Sequence, residues 1–183
     1  MIDKDSHIIN RVLDGDMDSF RTLMDSYSQR VFALVVRIVD NEADAEEITQ
    51  DVFLKVYKNL ARFDGRSMFS SWLYRIAYNE SISHTRKGRR EVAVEESLLR
   101  AVSDSTVDAL LDSGDARLAA LPEALDRLGA EERAIITLYY MEGLPMKEVA
   151  DIMRISESNA KVRLMRTRKK LYVLITQITK RYE

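Results

Sequence analysis

From Ser158 to Tyr182 the chain carries no acidic residue, while Lys161, Arg163, Arg166, Arg168, Lys169 and Lys170 crowd ten positions. At helical pitch Ala160, Leu164, Thr167 and Leu171 share one side, which leaves Ser158, Asn159, Val162, Met165, Arg166 and Lys169 on the other. Small polar residues in the first turn, with cations behind them, suit the major groove of duplex DNA, where side chains read base edges and cations hold phosphates. Taken alone, such a helix reads equally well as a solvated basic surface.

No constellation for covalent, acid–base or metal chemistry accompanies this run. His7 and His84 are far apart in sequence and neither has a spaced second ligand; there is no G-x-x-x-x-G-K phosphate loop and no G-x-S-x-G elbow. The chain therefore does not read as an enzyme, and no cofactor or metal is expected.

The element that positions the basic helix precedes it directly. Met146, Val149, Ala150 and Met153 recur at i, i+3, i+4 and i+7, an apolar stripe with Lys147, Glu148 and Asp151 facing water. Arg154 and Ile155 form a break. Ser156 then suits an N-cap, because its hydroxyl can accept from an orphan N–H, and Ile155 can staple onto Ala160. Two helices with a tight turn between them tip the reading towards a DNA-binding pair.

The 183 residues, 46% hydrophobic, can hold one medium domain or two small ones, and predict a soluble globular protein. Net charge is only −2, so affinity for nucleic acid has to come from local patches. Cysteine is absent, which removes disulfides and thiolate sites and fits a reducing compartment. No apolar run reaches the roughly 20 residues that cross a bilayer, and M-I-D-K-D-S-H lacks the parts of a signal peptide, so the default location is cytoplasmic.

Two prolines, six glycines and a pervasive 3.6-residue period predict an all-helical fold. His7 to Leu13 reads as a short helix stopped by Gly15, and Asp16 as the cap of a long one whose stripe is Phe20, Leu23, Met24, Tyr27, Val31, Leu34, Val35 and Ile38. Asn41 caps a third, buried through Ala45, Ile48, Val52, Val56 and Leu60. Its outer strip carries Asp44, Glu47 and Asp51, with Glu46 and Gln50 beside them, and a basic protein partner fits that face. Favourable interaction with the helix dipole explains Asp44, Glu46 and Glu47 but not Asp51, two turns in. The loop R-F-D-G-R-S-M follows, with Gly65 as turn residue and Ser67 as the expected cap of a fourth helix. There Phe69, Trp72, Leu73, Ile76 and Ala77 form the apolar stripe, and Trp72 reads as core. Arg75, Asn79, Ser83 and Arg86 run down another side with Tyr74 and Tyr78 alongside, ingredients for holding unpaired bases.

After R-K-G-R-R at Arg86 to Arg90, residues 91–116 hold seven acids and one cation and lose a firm period, as a linker would; Leu98, Leu99, Val102, Leu110 and Leu111 hint at transient helical turns, so disorder and partial order both fit. A second helical unit starts near Leu118, with Pro122 suited to a first turn, Gly129 to a stop, and Ala130 to Met141 forming a helix that ends at Gly143. The expected fold is all-α, with two small helical domains at 1–88 and 118–183 joined by an acidic linker at 89–117.

These stretches resemble the bacterial RNA polymerase sigma factors of the extracytoplasmic-function (ECF) group. D-A-E-E-I-T-Q-D-V-F-L-K-V-Y (Asp44 to Tyr57) is similar to that family's core-polymerase-binding segment, and F-D-G-R-S-M-F-S-S-W-L-Y-R-I-A-Y-N (Phe63 to Asn79) to its −10 promoter-reading segment. E-G-L-P-M-K-E-V-A-D-I-M-R-I-S (Glu142 to Ser156), followed by K-V-R-L-M-R-T-R-K-K-L, resembles the region 4 helix-turn-helix that reads the −35 element.

The resemblance implies that Asp44, Glu47, Gln50 and Asp51 dock on the coiled coil of the polymerase beta-prime subunit. It implies that Asp64, Gly65, Arg66, Ser67 and Met68, together with Asn79, hold a base flipped out of the −10 element, with Arg75 and Arg86 on the same DNA. Lys161, Val162, Met165 and Arg166 would face the −35 groove, flanked by Ser158, Asn159, Arg163 and Lys169. Core RNA polymerase (beta-prime coiled coil and beta flap), promoter DNA and an anti-sigma factor are the implied partners. The chain departs from the family pattern at Arg154, where glycine is frequent, at Asn159 and Ala160, where threonine and valine are usual, and at Ser83, so base preference does not carry over. A stand-alone helix-turn-helix regulator is the alternative. It would need neither the acidic strip nor the −10-like segment, and would normally dimerise through a seam that is not visible here.

Overall fold

Two capping side chains fix where the first long helices begin. The Asp16 carboxylate accepts from the backbone N–H of Asp18 and Ser19, and its pKa is held below the ordinary value, first by the Ser19 hydroxyl and next by Arg11. Asn41 accepts from Asp44 N at 3.0 Å. The computed structural model describes residues 5–85, 94–103 and 115–181, and among these every regular element is helical.

In the N-terminal half, α1 (Ser6–Leu13), α2 (Met17–Val39), α3 (Glu42–Asn59) and α4 (Phe69–Thr85) pack around α2, whose Val31, Leu34, Val35 and Ile38 are completely buried. A 3-10 turn at Leu60–Arg62 leads out of α3. The expected stripe on α2 holds except at Met24, which is 37% exposed at the edge of the buried face. Helix α4 starts at Phe69, so Met68 and not Ser67 occupies the position before its first turn. Trp72 is half-buried, tilted against Phe63 and Phe69 in an aromatic cluster at the core's edge.

Within the stretch expected to be linker, Glu96–Ala101 form the short helix α5. The C-terminal half comprises α6 (Asp115–Asp126), α7 (Ala130–Ile136), α8 (Met146–Met153) and α9 (Glu157–Thr179). Pro122 lies inside α6 and not in its first turn: the helix begins seven residues earlier than the proline. Gly129 precedes α7, and its N–H donates to Glu132 Oε2 at 2.8 Å, the reach-back of a capping box. Beyond Ile136 the chain widens into a π turn, Thr137–Met141, closed by Glu142 N to Thr137 O at 3.0 Å.

The two halves share one continuous apolar core, with Val149, Ile152 and Leu138 in the same cluster as Leu73 and Leu34. No described helix is long and apolar enough to cross a membrane.

The break between α8 and α9 is a left-handed residue. Arg154 has φ 57° and ψ 45°, and Ser156 Oγ then accepts from Asn159 N at 3.2 Å to start α9. Glycine reaches this conformation without the Cβ clash that costs other residues about 1 kcal/mol. Arg154→Gly should therefore raise the free energy of unfolding by up to about 1 kcal/mol, and Ser156→Ala should lower it by about 1 kcal/mol. Urea titration of both variants checks the pair; a destabilised Arg154→Gly would show that its side chain supports the turn.

Candidate nucleic-acid and protein interfaces

On α9 the inward side is Ala160, Leu164, Thr167 and Leu171, all buried, and Ser158, Asn159, Lys161, Val162, Met165 and Arg166 are exposed. Val162 and Met165, at 50% and 39% exposure, are apolar side chains held in water on an otherwise polar face, which suits contact with thymine methyls. Lys161 pairs with Glu157 at 2.7 Å, and that bond, reinforced by the lysine's charge, lowers the Glu157 pKa. A lowered carboxylate stabilises the fold above its unfolded pKa, and loses that contribution as pH falls through the folded one. Arg163 and Lys169 are half-buried; Arg163 donates to Asn159 Oδ1 at 3.2 Å and pairs with Glu131. Arg166 meets Glu96 at 2.8 Å.

Lys170, grouped with the phosphate-facing cations by its position in the basic run, is instead 7% exposed and bonded to Glu132 Oε2 at 2.7 Å. Glu132 thus ties α9 to the start of α7.

On α3 Glu46, Glu47, Gln50 and Asp51 are exposed along one side, and Asp44 is half-buried, 3.8 Å from His84 Nε2 on α4. Leu54, one turn on, is also exposed and gives the strip an apolar end that the charge pattern alone did not reveal. The loop before α4 presents Asp64, Gly65 and Arg66 to solvent, with Ser67 and Met68 half-buried. Gly65 has φ +69°, and Asp64 accepts from Arg66 N at 3.1 Å while its other oxygen lies 3.2 Å from Arg66 Nε. Arg75 and Asn79 are half-buried on α4 and Ser83 is exposed. Arg86, with the rest of R-K-G-R-R, lies outside the described residues.

Tyr74 and Tyr78 are not available to stack on bases: both are buried. Tyr74 OH donates to Glu142 Oε2 at 2.5 Å, and the same carboxylate meets Arg30 Nη2 at 2.8 Å. Burial, and next the bond to Glu142, push the Tyr74 hydroxyl far above the usual tyrosine range, so it stays a neutral donor. Ser71 Oγ donates to Glu148 Oε2 at 2.5 Å, and Arg133, 4% exposed, donates to Ile38 O at 2.7 Å and to Leu128 O at 2.6 Å. These polar links join the halves, and nothing in the local pattern around Arg133 or Glu142 distinguishes them from solvated charges.

A groove of about 480 Å³ runs between the end of α4 and the second half, lined by Ile82, Thr85, Gly129, Arg163 and Arg166. The −10-like helix and the −35-like helix therefore border one cleft. Among the described residues no cluster of metal-ligating side chains occurs.

The family model Sigma-70 region 2 matches residues 23–91, and Sigma-70, region 4 matches residues 118–171. The chain is 32% identical over 174 residues to the ECF RNA polymerase sigma factor SigW of Bacillus subtilis, covering 89% of this chain and 92% of that protein. It is 31% identical over 173 residues to the ECF RNA polymerase sigma-E factor of Escherichia coli, with 90% of each covered. Among solved structures, CnrH in complex with the cytosolic domain of CnrY shares the fold with a TM-score of 0.71 at 23% identity, covering 96% of this chain and 99% of that one. So does the sigma factor RpoE in complex with the anti-sigma factor NepR from Bartonella quintana, at 0.65 and 22%, covering 87% and 98%.

The buried Glu142 link carries a measurable energy. Glu142→Ala leaves the Tyr74 hydroxyl buried without its acceptor and should cost about 1–3 kcal/mol in chemical denaturation. In a Tyr74→Phe background the cost should shrink, since no hydroxyl is left stranded. Equal costs in the two backgrounds would mean that Glu142 acts through Arg30 alone.

Proposed function

Since the chain belongs to the ECF group of RNA polymerase sigma factors, we propose that its three exposed surfaces divide the work of that family between them. It binds core RNA polymerase and directs it to promoters by recognising −10 and −35 elements, and it is not a stand-alone regulator. The observation that carries this is the presence of both region 2 and region 4 matches in one chain. Residues 1–88 and 118–183 serve as the two functional halves, with 89–117 between them.

In this reading the α3 strip of Asp44, Glu47, Gln50 and Asp51 meets the beta-prime coiled coil. The loop Asp64, Gly65, Arg66, Ser67 and Met68, with Arg75, Asn79 and Arg86, takes the −10 strand. The outer face of α9, from Ser158 through Lys161, Val162, Met165 and Arg166 to Lys169, reads the −35 groove, and the second half contacts the beta flap. An inhibitory protein of the anti-sigma type is a further partner, because one chain of this fold was solved with the anti-sigma factor NepR bound and another with the cytosolic domain of CnrY.

Geometry adds a requirement. Elements centred near −10 and −35 are about 25 base pairs apart, roughly 85 Å along B-DNA at 3.4 Å per pair, whereas here both reading helices border one cleft. The halves must separate before both elements are engaged, and core polymerase supplies the spacing.

Run-off transcription with purified core polymerase tests the whole reading: specific transcripts should require this protein, and their absence on templates that carry its promoters would sink it. The Glu47→Lys, Asp51→Lys double variant should lose core affinity while keeping its thermal stability, as surface substitutions do; unchanged core affinity removes the strip from the interface. For the second half, Arg166→Ala should cost about 1–3 kcal/mol on the preferred −35 duplex and relax preference there. Lys169→Ala should weaken binding to every duplex alike and reduce the salt slope by about one. Equal losses on preferred and scrambled duplexes for Arg166→Ala would make Arg166 a phosphate anchor and not a base reader.

A further inference from the structure

Residues 94–103 fall between the two halves in sequence, and they are seated on α9. Val102 and Val173 are buried in a small apolar cluster apart from the main core, with Val94, Leu99 and Tyr172 packed against it. This cluster holds α5 beside the helix that carries the candidate −35 face. From the first turn of α5, the Glu96 carboxylate reaches Arg166 Nη2 at 2.8 Å, with Arg100 3.7 Å from its other oxygen.

We propose that α5 is an intramolecular occupant of the −35 face: Glu96 stands where a DNA acceptor would meet Arg166, so the linker helix and duplex DNA compete for one guanidinium. The inference rests on the reading that Arg166 is a DNA contact. A carboxylate offers the guanidinium paired acceptors of the kind that a guanine edge or a phosphate presents. Residues 91–116 carry seven acids against the single cation Arg100, so the segment repels DNA as a whole while Glu96 of α5 engages the candidate DNA-binding residue Arg166.

The contact is suited to being displaced. The Arg166 and Glu96 side chains remain 59% and 50% exposed, so water and salt screen their attraction. A six-residue helix does not persist alone, and within α5 Leu99 supplies the packing against the small cluster of Val102 and Val173. Such an occupant discourages stray duplex and yields when polymerase holds the −35 element close, since the effective concentration of tethered DNA then far exceeds that of free DNA.

The test uses the full chain and a short labelled duplex carrying the preferred −35 element, followed by fluorescence anisotropy at fixed salt. Glu96→Gln should bind about two- to five-fold more tightly, the size expected of one exposed ion pair. Val102→Ser, which loosens α5 from α9 without changing charge, should give a similar gain. Glu95→Gln removes the same charge one residue away, from a side chain that meets Ser97 and not Arg166, and should change affinity little. In an Arg166→Ala background the Glu96→Gln gain should vanish. Equal gains for Glu95→Gln and Glu96→Gln overturn the proposal in favour of general charge repulsion. So does an unchanged Glu96→Gln when Arg166→Ala by itself weakens binding. If Arg166→Ala leaves affinity unchanged even in the Glu96→Gln background, Arg166 does not touch DNA, and the parent reading fails first.

Discussion

One guanidinium sits where the two halves meet. Arg133 gives one nitrogen to Ile38 O in the last turn of α2, and another to Leu128 O and, at 3.4 Å, to Asp126 O at the end of α6. Carbonyls at a helix C-terminus have no partner within their own helix and carry its negative end, so a buried cation satisfies both needs at once. Burying an arginine is costly unless its donors are paired, and here backbone carbonyls on both sides of the junction take its two Nη groups. The shared apolar core, the packing of α7 on α2 and the cleft between α4 and α9 are all compatible with that one placement.

The junction is mixed in chemistry. Leu34, Leu73, Leu138 and Val149 supply dry contact, while Ser71–Glu148, Tyr74–Glu142 and Arg30–Glu142 supply links that water can replace on separation. If the halves part as proposed, this composition helps, because the polar members of the junction recover hydration when exposed. Contacts within a chain commonly have this transient character.

What was legible in the sequence follows from the range of the interaction. The stripe on α2, the caps at Asp16, Asn41 and Ser156, and the left-handed break at Arg154 depend on neighbours within a few residues, and their pattern is local. Tyr74 and Tyr78 read as a stacking surface because α4 has more than one apolar side, and what covers Tyr74 lies 68 residues further along the chain. Lys170 looked like its basic neighbours until Glu132, 38 residues before it, bonded to it. Arg133 and Glu142 carried no signal at all, since an arginine following Glu131 and Glu132, or a glutamate beside a helix-ending glycine, reads as solvated whichever way it points. Pro122 was placed in a first turn because that is where its missing N–H is harmless, yet α6 carries it inside. For the candidate surfaces, residue types and spacing marked α3 and the outer face of α9, the loop before α4 was marked only by the family resemblance, and the acid facing Arg166 came from a segment that had no firm period.

The π turn at Thr137–Met141 sets the direction in which Glu142 points. A helix that widens to accept one more residue delays everything after it by a single position, and each position is worth about 100° around the axis. Glu142 therefore faces Arg30 and Tyr74 by virtue of register as much as residue type. Among related chains, loss of one residue between Thr137 and Met141 would swing a glutamate at this place out of the junction while leaving its identity intact. An indel there, a change that substitution tables do not score, would thus alter the hold of one half on the other without changing either partner residue.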